Sequence, residues 1–520
     1  MHGKMNAITN RNNQEKHLVP LQKFLAAAVL CTMSALTTNA QAPGGDSKDV
    51  SVSQVERKNL APVSREILKV SLPRPVETTL PNGLTVLILE DHRFPIVNID
   101  FTISGSGALW EPGNTPGLSG VTAQMLREGT ATRTSKQIGE EIDRLGASFY
   151  ASAPFGDGDT SVGGSGLSDN FDKWFPVFSD LLLNANFPAD ELDKLKQRMK
   201  VQLVQQRQQP GFLATEEFNR AVYGSHPAAT VSVTAESIDA LTSEKLAEWR
   251  KSRYTPQNTI LGISGDVNPK ELIARLQAWS ASWPKTDFVA AADPQTTPAK
   301  DKRVFIVDRP NSVQTTLAMG NIGITRTSRD YPAMVVLDQV LSAGPSSRLF
   351  LNLREAKGFT YGVYSTFKAD KYAGAIRVGG DLRTEVTEGA MTEFWNEFNR
   401  IRDEKVPDAE LDDARRAVVA RFALSLEQPS ELLNFAVERK VYGLPADYWE
   451  KYPAQISAVT ADDVQRVARK YLDMSNMQVV GVGDAKKIAP VLSKYGTVQI
   501  FNVEGKPEEP KLERLKPIGQ

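Results

Sequence analysis

The chain has 520 residues, 41% hydrophobic and 24% charged, with a formal net charge of −1. That length allows two or more domains or a repeated unit. The near-zero charge supplies no basic field for nucleic acid, and one cysteine in the whole chain excludes a disulfide framework.

In chain order, the first recognisable element is a targeting segment. Lys16 and Lys23 precede the short apolar run "FLAAAVLCTMSAL", and small residues follow, ending Ala40-Gln41-Ala42. Basic region, apolar core and small residues in that order predict a secretory signal peptide over residues 1–42, too short to be a membrane span. Cys31 follows Ala28-Val29-Leu30, a poor lipoprotein context. Cleavage after Ala42 removes four basic residues, one acid and the only cysteine, which leaves a mature charge of −4. An exported chain without thiols fits a bacterial periplasm, where a stray cysteine is prone to oxidation. Residues 43–71 read as a polar tether.

A first α+β half is expected over 72–284. "ETTLPNGLTVLILED" reads as a hairpin turning at Asn82-Gly83, and "PIVNIDFTISGSG" alternates like a half-buried strand. Helices are expected at about 116–128 and 135–145. "ASFYASAPFGDGDTSVGGSG" reads as a strand pair, with Asp157 and Asp159 in a turn and the "SVGGSG" glycines in a loop; no Lys-Ser/Thr follows to make a phosphate cradle. Further helices are expected at about 171–184 and 188–208. His92 reads as a surface residue near a strand end, and Trp110 and Trp174 as packing residues.

The half closes on "SIDALTSEKLAEWRKSRYTPQNTILGISGDVNPKEL", which returns near the end of the chain as "QISAVTADDVQRVARKYLDMSNMQVVGVGDAKKIAPVL". Thr242 and Thr460 lie 218 residues apart, as do Gly265-Asp266 and Gly483-Asp484. One offset at separated landmarks indicates duplication. In each copy the threonine is placed to cap a helix, an apolar run has strand length, and Gly-Asp turns the chain into the next helix. The Pro/Ala/Thr-rich stretch 285–301 reads as a linker. A second half over 302–505 opens with the strands "RVFIVDRP" and "VQTTLAMGNIG", and 506–520 is a tail. The predicted fold class is α+β, two homologous halves, each a mostly antiparallel sheet packed with helices.

Within "GLSGVTAQMLREGT", Gly120, Ala123 and Gln124 stand at i, i+3 and i+4, one face of a helix. Together with "LPNGLTVLILED", "RYTPQNTILGISGD" and "SSRLFLNLREAKGFTYGVYS", this stretch makes residues 72–500 resemble the pitrilysin or insulinase-like zinc peptidases, in the short form built from two halves, as in the mitochondrial processing peptidases. The resemblance implies an inverted zinc motif, His-x-x-Glu-His, on the helix at 117–130, and a further glutamate ligand about 75 residues on. Here the two histidines fall on Gly120 and Gln124 and the general-base glutamate on Ala123. The remaining ligand falls near Val201 or Gln202. The four histidines of the chain are His2, His17, His92 and His226, no two spaced to share a helical face, and no Asp or Glu occurs from Lys194 to Thr215. A register slip therefore cannot rescue the site. The expectation is a chain that binds no metal of its own.

The second half keeps Arg354 and Tyr361, seven residues apart. The resemblance implies that this pair reaches the substrate beside the zinc, holding the peptide carbonyl and stabilising its oxyanion; Arg348 has a structural reading. The implied function is that of a non-catalytic subunit: a homologous zinc-bearing peptidase subunit would supply the metal and this chain Arg354 and Tyr361, around a peptide paired to a sheet edge near "GASFYASAPF". The alternative is a peptide-binding or scaffolding protein with no part in catalysis. No nucleic acid and no membrane span after signal removal are expected, and the expected location is the periplasm.

Overall fold

The computed structural model describes residues 66–508, so the signal peptide, most of the tether and the last twelve residues lie outside the described residues. Two sheets organise the rest. The first runs in the order β1 (Val76–Thr79), β2 (Thr85–Glu90), β6 (Thr259–Gly265), β3 (Ile96–Ser104), β5 (Asp159–Leu167), β4 (Ser148–Ser152). Its partners are antiparallel except for β2 beside β6. The helices are α1 (Leu118–Met125), α2 (Ser135–Leu145), α3 (Phe171–Asn184), α4 (Ala189–Gln206), α5 (Pro210–Tyr223), α6 (Ala235–Ala240), α7 (Ser243–Arg253) and α8 (Pro269–Ser280).

The second sheet comprises β7 (Arg303–Asp308), β8 (Gln314–Ile322), β9 (Thr360–Phe367), β10 (Ala375–Arg383), β11 (Gln478–Gly483), β12 (Thr497–Phe501) and β13 (Pro507–Glu508), ordered β13-β12-β7-β11-β8-β10-β9. Its helices are α9 (Tyr331–Leu341), a short α10 (Arg348–Phe350) running on as a π-helical turn over Leu351–Ala356, α11 (Thr387–Asp403), α12 (Asp408–Ser425), α13 (Pro429–Val441), α14 (Tyr448–Ser457), α15 (Ala461–Tyr471) and α16 (Ala485–Leu492). No helix among the described residues is long and apolar enough to cross a membrane.

The strand registers carry the duplication. Ile99 pairs with Ile263 between β3 and β6, and Leu317 with Gly481 between β8 and β11, each residue 218 positions beyond its counterpart. The capping threonines act as their side-chain chemistry predicts: Thr242 Oγ1 accepts from the Lys245 amide at 3.3 Å and Thr460 Oγ1 from that of Asp463 at 3.1 Å. Gly265 closes β6 with φ +127°, and a Cβ there would lie 1.9 Å from the Ile96 carbonyl oxygen, so only glycine fits.

The "SVGGSG" segment is not a loop. It lies inside β5, in register with β3 and β4. Its glycines are there for packing: a Cβ on Gly163 would strike the Tyr150 ring, and one on Gly166 the Trp174 indole. β10 has the same pairing, Gly379 opposite Tyr364 as Gly163 is opposite Tyr150, but there a Cβ would strike the Leu317 carbonyl oxygen of β8.

The two halves exchange helices. Leu213, Phe218 and Val222 of α5, from the first half, join Phe305, Ala318 and Val480 of the second sheet in one apolar cluster. In return Leu433 and Ala436 of α13 pack with Leu87 and Ile260 of the first. Pro210 and Pro429 each open their helix, where a missing N–H costs nothing. Polar contacts add to the joint: Lys368 pairs with Asp157 at 2.5 Å, and Tyr372 donates to the Gly156 carbonyl at 2.7 Å. Asp157 thus closes a turn, its amide on the Pro154 carbonyl at 3.3 Å, and ties the halves together; Asp159, expected in the same turn, instead begins β5.

Candidate functional site

α1 is held at its N-terminus by a partly buried carboxylate. Glu111 accepts from the amides of Gly117 (2.8 Å) and Ser119 (2.6 Å) and from the Ser119 hydroxyl (2.5 Å). Burial pushes its acidity toward the neutral form, and these bonds oppose that. Gly117 enters the helix with φ +96°, and a Cβ there would overlap Val233.

Gly120, Ala123 and Gln124 share this helix, but their environments differ. Ala123 is fully buried. A Cβ on Gly120 would sit 3.3 Å from the Ala153 carbonyl oxygen. Gln124 is exposed and borders a cleft of about 310 Å³ between α1, β4 and α4. On α4, Val201 is 59% exposed. These residues do not fit a zinc ion: hydrogen, methyl, amide and isopropyl groups stand where imidazole and carboxylate would be needed, and α1 packs too closely at Gly120 and Ala123 to take larger side chains without movement. Among the described residues no three His, Cys, Asp or Glu side chains converge in a metal-binding group.

β4, which borders the cleft, is an edge strand of the first sheet, as read from the sequence. Tyr150, half exposed on it, donates to Asp100 Oδ2 at 2.5 Å. His92 lies away from the cleft, between Asp266 Oδ1 (2.6 Å) and Glu90 Oε1 (2.7 Å).

The second half brings Arg354 and Tyr361 together. The π-helical turn carrying Arg354 ends where Gly358, at φ +60°, lets the Phe359 amide reach back to the Leu353 carbonyl at 2.9 Å. The chain then enters β9, the opposite edge strand to β13 in its sheet. Pairing with β10 shifts between Gly380 and Leu382, and Thr360 Oγ1 donates to the Asp381 carbonyl at 2.6 Å beside this irregularity. Such a bulge re-aims a neighbouring side chain, and Tyr361 is 83% exposed. The Arg354 guanidinium carbon lies 4.7 Å from the Tyr361 ring centre and 4.8 Å from that of Phe350, so two aromatic faces hold it. Its only ion pair among the described residues is with the adjacent Glu355, at 3.4 Å. Arg348 is buried and bidentate on Glu410 at 2.7 and 2.8 Å, a structural role. Among the described residues, no hydrogen bond or ring contact joins Arg354 or Tyr361 to α1.

Sequence reasoning missed two residues on the walls of the α1 cleft, Arg127 and Arg198. Their signal lay in "MLREGT" and "KQRMK", the segments searched for metal ligands.

Fold and site together define a two-half α+β chain of the zinc-peptidase type with no His, Asp or Glu on α1. Comparison with known families gives the same class. Residues 85–232 match the model of the insulinase family (peptidase family M16), and residues 240–418 that of the M16 inactive domain. The chain belongs to this insulinase-like, or pitrilysin-like, family. An uncharacterized zinc protease of Rickettsia bellii is 27% identical over 416 residues, covering 77% of this chain and 96% of its own length. An uncharacterized zinc protease of Bacillus subtilis is 22% identical over 360 residues, covering 68% and 85%. Among solved structures, a peptidase M16 inactive domain from Pseudomonas fluorescens superposes with a TM-score of 0.74 at 27% identity, covering 79% of this chain and 98% of its own. The periplasmic protease PqqL of Escherichia coli shares the fold at a TM-score of 0.68 and 17% identity, with 82% of this chain on 48% of its own.

Proposed function

We infer that this chain is the non-catalytic subunit of a two-chain zinc peptidase in the periplasm. A homologous subunit carries the zinc, and this chain supplies Arg354 and Tyr361 to the peptide beside that metal. The observation that carries this reading is the division between the halves: α1 has no His, Asp or Glu and α4 has none after Asp193, while Arg354 is still held against an exposed Tyr361 on an edge strand. A guanidinium and a phenol presented together are donors of the kind that stabilise a carbonyl oxygen as it gains charge. The free edges of β4 and β9 suit an extended peptide, which would add as a further strand through main-chain hydrogen bonds.

The test is co-purification from periplasm followed by a peptidase assay with and without chelator. The reading requires a chelator-sensitive activity in the complex and none in this chain alone. A complex that keeps full activity after Arg354→Ala together with Tyr361→Phe would instead indicate a scaffold.

A further inference from the structure

We propose that the cleft left by the lost metal site binds a carboxylate, so that this chain selects peptides presenting an acidic side chain or a free C-terminus. The cleft has an apolar floor, to which Ala123, Phe149 and Leu195 contribute, and a rim with Gln124, Arg127 and Arg198. Both arginines are exposed, one from just beyond α1 and one from α4. Among the described residues neither guanidinium has an ion pair, hydrogen bond or ring contact.

The acids nearby have other partners. Glu128, also on the cleft wall, accepts from the Ser135 hydroxyl at 2.6 Å, and Glu191 is held by Lys194 at 2.9 Å. Glu141 and Asp180 are both taken by Arg133, at 2.9 and 2.7 Å. Arg133 thus shows what a satisfied arginine looks like here, and Arg127 and Arg198 are the contrast. With Glu128 counted, the cleft has an excess of one positive charge. Its free hydrogen-bonding groups are mainly donors: two guanidinium forks, which suit carboxylate oxygens, and the Gln124 amide. The floor suits the methylene stem of a glutamate, and a volume of about 310 Å³ admits a single side chain.

The placement also fits. β4 forms one side of the cleft and is an unpaired edge. A peptide added to β4 points alternate side chains to one face. The inference rests on the proposed peptide-holding function of that edge and names the chemistry it selects.

The experiment uses the full mature chain and fluorescein-labelled decapeptides read by anisotropy. One peptide has a central glutamate and blocked ends, a second has glutamine there, and a third has glutamine with a free C-terminal carboxylate. The glutamate peptide should bind roughly tenfold tighter than the blocked glutamine peptide at low salt, and the difference should shrink as salt is added. Tight binding of the third peptide assigns the site to a chain end. The preference should vanish in Arg127→Gln/Arg198→Gln and survive in Lys251→Gln/Lys270→Gln, which loses the same charge elsewhere. Equal affinities, no binding of any peptide, or a preference that persists without the two arginines overturns the proposal. A carboxylate preference in a chain that co-purifies with no peptidase would keep this site and remove the two-chain reading.

Discussion

Arg354 and Tyr361 form a stacked pair: the guanidinium carbon is 4.7 Å from the ring centre, while the ring itself is 83% exposed. A tyrosine so exposed adds little to folding, so its partnership with Arg354 separates function from stability. Substituting Tyr361→Phe or Arg354→Ala should leave the melting temperature of this chain nearly unchanged, with stability altered by about 0.5 kcal/mol or less. If this chain acts in the proposed two-chain peptidase, Arg354→Ala should lower kcat of the reconstituted complex by about 10²–10³-fold, the usual cost of removing one oxyanion donor. Calorimetry on the chain and steady-state kinetics on the complex measure the two effects independently.

Rebuilding the zinc motif on α1 should fail. The triple variant Gly120→His, Ala123→Glu, Gln124→His supplies three side chains, yet the ligand position on α4 still carries Val201 or Gln202. Glutamate at fully buried Ala123 also places an unpaired carboxylate in the core, and histidine at Gly120 must displace the Ala153 carbonyl. The expected outcome is destabilisation by about 2–4 kcal/mol and no stoichiometric zinc. Denaturant melts and elemental analysis of the dialysed variant check both parts.

Much of this arrangement was legible in the residues. The 218-residue repeat and the capping threonines follow from periodicity and turn chemistry, whereas the β4 edge and the positions searched for zinc ligands follow from the family resemblance, with the count of histidines and carboxylates added to it. Three features were not legible. The glycines of β5 read as a loop because their purpose, room for Tyr150 and Trp174, lies in side chains of the adjoining β4 and α3 and not in β5 itself. α5 exchanges sheets with α13, and an amphipathic helix does not state which sheet it will cover. Arg127 and Arg198 are 71 residues apart, and only the packing of α4 beside α1 and β4 brings them to one cleft.

The exchanged helices make the two halves one folding unit. Phe218 of α5 is almost wholly buried in a cluster whose other members include Phe305, Ala318 and Val480 of the second sheet. Phe218→Ala should cost about 3–5 kcal/mol, the range for deleting a buried aromatic side chain. Because the lost contacts belong to both halves, the residues from β1 to β12 should melt in one calorimetric transition, in the wild type and in the variant alike. A variant that separates into two transitions would refute the coupling.

His92 should make stability depend on pH in a definite direction. Its ring sits between Asp266 and Glu90, and hydrogen bonds to Asp266 first and Glu90 second raise its pKa above the usual 6.5. A raised histidine pKa means that the folded state holds the proton more firmly than the unfolded chain does. The stabilisation is therefore fully present below the unfolded value and is lost as pH rises through the higher folded value. Asp266, whose acidity is strengthened by Ser168 and then by His92, anchors the other end. The site links the end of β2 to the turn after β6, so the effect should be modest and salt-sensitive, as for any exposed pair. The melting temperature of wild type should exceed that of His92→Gln at pH 6, and the two should converge by pH 9. NMR titration of the His92 ring should give a midpoint above 6.5 that returns toward the ordinary value in Asp266→Asn. A midpoint unmoved by that substitution would place the cause of the shift elsewhere.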